Sequence, residues 1–167
     1  GQLTHLILTS RSGLVGRFGA VTTGRLGRRL EEYAAELEGL GQPSAVVYFD
    51  DSSSTERLGQ RALDGNDPLE LKRLVDRIDT VAAGGRLQNL LIVGGPDIVP
   101  MFEVPNPAID DDSVVLTDTP YVSRGWSFPS ASRSVGRLPD GQSSNPALLL
   151  TTIDSAADAL ANSRRLV

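Results

Sequence analysis

The sequence predicts an α/β protein with three layers, in which helices cover both faces of a mostly parallel β-sheet. Apolar runs alternate along the chain with amphipathic helical patterns, as βαβ units require. The run LLIV at residues 90–93 has no polar alternation and ends in Gly94-Gly95-Pro96, which is typical of a central parallel strand buried on both faces. Open α/β sheets bind ligands beyond the carboxyl ends of their strands, so Gly94 and Gly95 mark the edge where a functional site is expected.

The first part of the chain predicts a strand, a loop, a helix and a second strand. Residues 3–9 form an apolar run, and residues 10–19, with three glycines and two arginines, predict a loop. This loop could cradle a phosphate, but it has neither the Rossmann order of glycines nor a Gly-Lys-Ser/Thr motif. Helical spacing of apolar residues begins at Leu26, and residues 45–49 predict the second strand. Asp50 and Asp51 end that strand; they could hold Mg²⁺, although a solvated turn explains them more simply.

The second part predicts two further helices and a loop-rich segment. Asp67 can cap a helix that begins at Pro68, and Gly84-Gly85 closes it. Beyond Pro100 the many prolines indicate loops, with short antiparallel strands allowed after residue 110. Asn145, followed by a proline, caps a last amphipathic helix with its apolar stripe over residues 149–160.

Length and composition limit the class of protein. The 167 residues fit a single α/β domain, 1–167, which can bury about two thirds of the surface that the unfolded chain exposes. The absence of cysteine excludes disulfides, thiolate metal sites and a cysteine nucleophile in this chain. A net charge of -5 argues against nucleic acid as a partner, and no apolar run approaches the ~20 residues of a membrane span. Because the chain begins with Gly rather than Met and ends directly after a helical pattern, we expect a fragment of a longer protein.

No catalytic residue is predicted within this chain. His5 is the only histidine and lies in the first predicted strand, where a structural role is expected. Without a second histidine or any cysteine, neither a histidine-based metal site nor a Cys-His dyad can form. By itself, the chain is therefore not expected to be an enzyme.

Two groups of charged residues after Pro100 are candidate structural or binding residues. Asp110, Asp111 and Asp112 are candidate Ca²⁺ ligands, but their spacing does not match an EF-hand, so a solvated loop without a metal or other cofactor is the prediction. Arg137 lies inside a short apolar strand, where a buried charge requires a carboxylate partner. The candidates for that partner are Asp97, Asp112 and Asp118, and an ion pair that locks the strand is favoured over a ligand contact.

Four segments between residues 66 and 140 together resemble the gingipain-type cysteine peptidases, which have a caspase-like fold. The segments are DPLELKRLV (67–75), LLIVGGPDIVP (90–100), TDTPY (117–121) and VGRLP (135–139). In that family an apolar strand ending in Val-Gly-Asp leads to an Asp-x-x-Tyr segment and then to a Gly-Arg strand with a following helix. Asp118, Tyr121 and Arg137 match this pattern, whereas Gly95 stands where the family has Asp.

The resemblance implies the amino-terminal, non-catalytic half of a caspase-like unit. The family's catalytic His and Cys lie on later strands, so the expected partner is a carboxy-terminal catalytic half of the parent protein, which would be a cysteine peptidase or a degenerate relative. Family members often hold structural Ca²⁺, but those ligands cannot be mapped onto residues 110–118. Two alternatives remain open. One is a stand-alone flavodoxin-like or receiver-like module that binds a small ligand with the loops after Thr9, Phe49 and Val93. The other is an interaction domain that self-associates through a bare sheet edge.

Overall fold

The computed structural model describes residues 2–106, 108, 112–125 and 131–163 and confirms an α/β fold with a mostly parallel sheet. The main sheet contains four parallel strands in the order β2-β1-β3-β6, and a separate antiparallel pair joins β4 to β5. The strands are β1 (His5–Thr9), β2 (Ser44–Tyr48), β3 (Asn89–Val93), β4 (Phe102–Pro105), β5 (Val114–Thr117) and β6 (Ser134–Leu138). The helices are α1 (Arg11–Gly39), α2 (Ser52–Glu56), α3 (Pro68–Val81), α4 (Thr119–Val122) and α5 (Ala147–Ser163).

The predicted central strand is confirmed as β3. It pairs in parallel with β1 on one side and with β6 on the other, and Leu90, Ile92 and Val93 are buried. Branched apolar side chains suit this position because helices and neighbouring strands exclude water from it. Burial of apolar side chains from the sheet and helices, worth roughly 25 cal/mol per Å² removed from water, holds these elements together. The core includes Leu6, Leu8, Leu14, Leu30, Val47, Leu74, Ile78 and Leu149.

The loop predicted for residues 10–19 is wrong, because α1 begins at Arg11. Ser10 caps this helix by accepting a hydrogen bond from the N–H of Gly13 at 2.9 Å. Leu14 is fully buried, which anchors the first turns in the core. The helix breaks at Gly19, whose φ of 78° and ψ of 164° are readily adopted only by glycine. The glycines that indicated a loop therefore mark one kink in an otherwise continuous helical segment.

The other helices follow the capping residues in the sequence. The Asp67 side chain accepts the N–H of the residue two positions later at 2.8 Å, and Asn145 does the same at the start of α5 at 3.0 Å. The short α2 was not predicted; Asp51 caps it where a simple turn was expected. Among the helices described, none has the length and apolar character that would let it cross a membrane.

The segment after Pro100 contains an antiparallel pair of strands and one strand that joins the parallel sheet. The apolar run at 114–116 forms the antiparallel strand β5, but its partner β4 lies before residue 110. The Gly-Arg strand is β6, which joins the main sheet in parallel. Val114, Val115 and Leu116 are all exposed, so β5 contributes little to the core, whereas Phe102 of β4 is buried in it.

Candidate functional site

The carboxyl ends of the four parallel strands meet at the edge that the sequence predicts to be functional. The turn Gly94-Gly95 follows β3, Asp140 follows β6, and Asp50 follows β2. The backbone N–H of Gly94 donates to the carbonyl of Leu138 at 2.8 Å, which ties the turn after β3 to the end of β6. This edge brings together three groups of charged side chains.

Arg137 is held by the most complete set of contacts at this edge. Its Nε and one terminal nitrogen donate to the two carboxylate oxygens of Asp118, at 2.9 and 2.6 Å. Its other terminal nitrogen donates to the backbone carbonyls of Gly94 at 2.7 Å and Val99 at 3.0 Å. Of the three carboxylates that the sequence indicated, Asp118 is the one that pairs with Arg137. Both side chains are largely buried, so the pair locks β6 to the turn after β3.

Tyr121 lies in the core beside this ion pair. Its hydroxyl donates to the carbonyl of Pro100 at 2.7 Å, and its ring meets that of Phe102 edge-on, with centroids 5.0 Å apart and an interplanar angle of 67°. Burial raises the pKa of the Tyr121 phenol far above its ordinary value. The side chain is therefore a neutral hydrogen-bond donor, which fixes the segment after β3.

Asp97 lies apart from Arg137 and binds a different arginine. Its exposed carboxylate accepts a hydrogen bond from Arg17 of α1 at 2.8 Å. The Nε of the same arginine lies 2.9 Å from a carboxylate oxygen of Asp140, which is buried. Arg17 thus bridges two carboxylates, and the loop after β3 is joined to α1.

Asp140 is the site residue that sequence reasoning missed. Its second carboxylate oxygen accepts the backbone N–H of Gly95 at 2.9 Å. A Cβ at position 95 would lie only 2.5 Å from that oxygen, so any side chain there would displace it. The signal in the sequence was the glycine itself, because its missing side chain leaves room for the Asp140 carboxylate.

Asp50 occupies the amino terminus of α1. Its carboxylate accepts the backbone N–H groups of Arg11 at 2.7 Å and Ser12 at 2.8 Å, and the Ser10 hydroxyl at 2.8 Å. Burial alone would raise the pKa of Asp50, but hydrogen bonds from Ser12, Arg11 and Ser10 hold it below the ordinary value. These N–H groups would be the natural donors for a phosphate, and they are already used.

The candidate Ca²⁺ ligands are only partly covered by the structure. Asp110 and Asp111 lie outside the described residues. The carboxylate of Asp112 is exposed, and its backbone carbonyl accepts a hydrogen bond from the Asn106 amide at 2.9 Å. In the described part of the chain no three His, Asp or Glu side chains come together in a group that could hold a metal ion.

His5 lies at the amino end of β1, the opposite end of that strand from Ser10. The Thr4 hydroxyl donates to the carbonyl of Pro43 at 3.1 Å, so its oxygen accepts from Nδ1 of His5 at 3.0 Å. Nε2 is then the acceptor for the Asn89 amide at 2.7 Å. Burial lowers the pKa of His5, which agrees with a neutral ring. Ser10 and Ser12 consequently have no histidine to activate them.

A second network of buried charges, also missed from the sequence, joins α3 to the segment around α4. Lys72, fully buried, donates to Asp76 at 2.9 Å and to the carbonyl of Ser123 at 2.7 Å. Arg133 donates to Asp79 at 2.8 Å and also contacts Asp76. Lys72 is located by helical periodicity, since it adjoins the apolar stripe of α3. Asp76 lies one helical turn later, but Ser123 and Arg133 come from distant parts of the chain.

The described residues at the carboxyl edge are arranged to hold backbone segments together. The arginines are paired with carboxylates, the phenol is buried and neutral, and the serines donate to Asp50. This arrangement can orient a neighbouring structure. The carboxylate to which the serines donate also accepts backbone N–H groups that hold its pKa below the ordinary value, which makes it a poor general base. No protein-family model matches this chain, and neither curated proteins nor solved structures yield a match.

Proposed function

We propose that this chain is the non-catalytic supporting subdomain of a gingipain-like, caspase-fold cysteine peptidase or of a degenerate relative. The catalytic His and Cys would lie in a carboxy-terminal half of the parent protein, and this chain would pack against that half. It would contribute a rigid sheet and no reacting group.

The observation that carries the proposal is the convergence of the motif segments on Arg137. The arginine of VGRLP binds the aspartate of TDTPY and two backbone carbonyls of LLIVGGPDIVP, while Tyr121 binds a third carbonyl from that segment. Residues with this role must keep their identity, since lysine cannot reproduce the planar, multidentate contacts of arginine. The motif residues would then be required to hold these backbone segments together, which is the role expected of residues in a supporting subdomain.

The outer edge of β6 supports the existence of a further partner. Within residues 2–106, 108, 112–125 and 131–163, β6 pairs only with β3, so its other side carries unpaired backbone groups. Ser134, Val135 and Gly136 are exposed along it. Open edges of this kind are normally covered or paired in natural proteins. A strand or loop of the catalytic half would cover this one.

The helix positions are compatible with the three-layer arrangement of caspase-like folds. The helices α1 and α5 contact each other, while α3 contacts α4. Right-handed crossovers from β1 to β2 and from β2 back to β3 run in opposite directions across the sheet, which would place α1 and α3 on opposite faces. Asp140 also supports the resemblance to gingipain-type peptidases. Its carboxylate lies beside Gly95, the position at which that family has Asp.

Peptide hydrolysis is the direct test of the enzymatic part of the proposal. The purified chain is expected to leave a library of internally quenched fluorogenic peptides intact. The parent protein is expected to carry a His and a Cys on two apolar strands after residue 167. Where both are present, iodoacetamide is expected to abolish its hydrolysis of those peptides. Turnover by this chain alone that disappears in His5→Ala would overturn the proposal.

Association of the two halves is the test of the supporting role. The segment that follows residue 167 in the parent, expressed as a separate polypeptide, is expected to co-elute with this chain in size-exclusion chromatography. Val135→Asp, on the exposed edge strand, is expected to abolish co-elution. Val21→Asp is the matched control, because Val21 is 83% exposed on α1 and should leave co-elution unchanged. Failure of the wild-type halves to associate, or equal behaviour of the two variants, would contradict the proposal.

A second candidate function is a stand-alone module for a small ligand, with flavodoxin-like or receiver-like architecture. It is favoured by an open cleft of about 380 Å³ at the loops after β1, β2 and β3, which includes Ser12, Asp50, Asp64 and Asp97. A thermal-shift series with ATP, FMN and Mg²⁺ tests it, because a ligand at 100 times its Kd adds about 2.7 kcal/mol of stability. The carboxylates that line the cleft disfavour phosphates, so we expect no shift with ATP or FMN. A saturable shift with either would favour the binding module.

Self-association is the third candidate. The side chains of Val114, Val115 and Leu116 on β5 are exposed and could be covered by a second copy of the chain. An elution volume that falls as the concentration of this chain rises would favour such an interaction domain.

A further inference from the structure

A cavity of about 320 Å³ lies between the sheet, α1 and α5, away from the carboxyl edge. Its wall includes His5 of β1 and Asn89 of β3, which pair at the amino ends of their strands. The wall also includes the apolar side chains of Leu37 and Leu160 from the two helices, and Gly136 of β6. The volume is at the lower end of small-molecule sites, which span about 300–1,000 Å³. It suits a compound of one or two rings.

The chemistry of the wall selects against charged ligands. Of the described residues that line the cavity, none is an aspartate, glutamate, lysine or arginine. Burial lowers the pKa of His5, which favours its neutral form, and both of its ring nitrogens are hydrogen-bonded, to Thr4 and Asn89. A charged group placed here would lose water without gaining a counter-charge, which is strongly unfavourable.

Polar groups on the wall are available to orient a ligand. The Asn89 amide nitrogen is used by His5, but within the described part of the chain its carbonyl oxygen has no hydrogen-bond partner. Among the described residues the Tyr33 hydroxyl likewise has no hydrogen-bond partner, and burial raises the pKa of this phenol. The wall therefore combines hydrogen-bonding side chains, namely those of Asn89 and Tyr33 together with Gln42 and Ser134, with apolar surface, which is the usual composition of a small-molecule site.

We infer that this cavity binds a small, uncharged, mostly aromatic molecule that donates a hydrogen bond to the Asn89 carbonyl oxygen. The site is separate from the Gly94-Gly95 edge and does not depend on the proposed peptidase relationship. It would give the chain a ligand-binding role of its own. The site would lie near the amino ends of β1 and β3, whereas α/β proteins usually bind ligands beyond the carboxyl ends of their strands.

Indole is a suitable probe because it is flat, uncharged, mostly apolar and has one N–H donor. Titration into the ¹⁵N-labelled chain is expected to shift the amide signals of Asn89, Gly136 and Leu160 saturably. Indole-3-acetate adds a carboxylate and is expected to bind at least about tenfold more weakly. Absence of saturable shifts with indole, or equal affinity for the two compounds, would overturn the inference.

Gly136→Leu tests the location of the site without disturbing the fold. A Cβ at position 136 would meet only Leu91, at an ordinary contact distance of 3.6 Å, and the backbone there has no left-handed φ. The added side chain would fill the cavity, so indole affinity should fall at least about tenfold while the melting temperature is kept or raised. Leu160→Trp is a second blocking variant on α5, with the same expected loss.

The matched control is Gly24→Leu, on an exposed part of α1 with no atom within 4 Å of a new Cβ. It should leave the indole titration unchanged. Indole binding that survives both blocking variants, or that is lost equally in the control, would contradict the assignment of the site to this cavity.

Discussion

The backbone N–H of Gly95 donates to one carboxylate oxygen of Asp140 at 2.9 Å, while the other oxygen of that carboxylate lies 2.9 Å from Nε of Arg17. One buried side chain thus joins the turn after β3, the end of β6 and α1. These elements are far apart in sequence, so the contact can form only when the sheet is assembled. The absence of a side chain at Gly95 is a condition for it.

Gly95→Ala is therefore expected to destabilise the protein. Its Cβ would lie 2.5 Å from the Asp140 oxygen, so the carboxylate must move and lose its buried hydrogen bond. The expected cost is about 2–3 kcal/mol in the free energy of unfolding, measured by urea denaturation. Gly16→Ala on α1 is the control, because nothing lies within 4 Å of its new Cβ. Alanine there should stabilise the helix by up to about 1 kcal/mol, and equal losses at the two positions would contradict the prediction.

The contacts of Arg137 predict that lysine cannot replace it. An ammonium group cannot reach both oxygens of Asp118 and two backbone carbonyls at once. We expect Arg137→Lys to lower the free energy of unfolding by about 2–4 kcal/mol, since both partners of the pair are largely buried. Arg28→Lys, at an exposed position of α1, should change it by less than about 0.5 kcal/mol.

A double-mutant cycle separates the ion pair from the other contacts of Arg137. Combining Arg137→Met, which removes the cation, with Asp118→Asn should give a coupling energy of about 1–3 kcal/mol by the same urea measurement. Additive effects of the two substitutions on the free energy of unfolding would contradict a stabilising interaction between Arg137 and Asp118.

The sequence was sufficient wherever the structure depends on local periodicity or on a charge in an apolar context. The buried strand at 90–93 and the caps at Asp67 and Asn145 could be read directly, as could the need of Arg137 for a carboxylate. Local patterns hold these features because backbone geometry and desolvation act on neighbouring residues.

The missed features depend on contacts across the fold. The first turns of α1 are capped by Asp50, which lies about one helix and one strand later in the chain. Gly95 and Asp140 meet only because β6 pairs with β3 in a particular register. No local pattern contains this information, since it arises from sheet topology.

The role of Asp50 predicts a stability difference that depends on pH. Asp50→Asn removes a negative charge from the amino terminus of α1 and should cost about 1–2 kcal/mol at pH 7. The pKa of Asp50 in the folded state lies below its ordinary value of 3.8, so its contribution is fully present above that value. The contribution is lost as the pH falls through the folded pKa. Urea midpoints of the two proteins should thus converge below about pH 4, and a constant gap down to pH 3 would contradict this account.

Lys72 makes the global stability of the chain directly measurable. It is the only lysine, and in the folded protein its amine is fully buried between Asp76 and the Ser123 carbonyl. Acetylation by an N-hydroxysuccinimide ester should therefore modify only the terminal amine of the native chain, and a second site only after unfolding in urea. Mass spectrometry counts the acetyl groups.

The rate of the second modification should follow the population of unfolded chain, because the buried amine reacts only when α3 separates from the segment around α4. Gly95→Ala should accordingly accelerate it, by roughly 30- to 150-fold for a loss of about 2–3 kcal/mol. Arg61→Lys adds an exposed amine and gives the control rate, which should be the same in the wild-type and Gly95→Ala backgrounds. Rapid labelling of Lys72 in the native protein would show that the buried network opens independently of the rest of the fold.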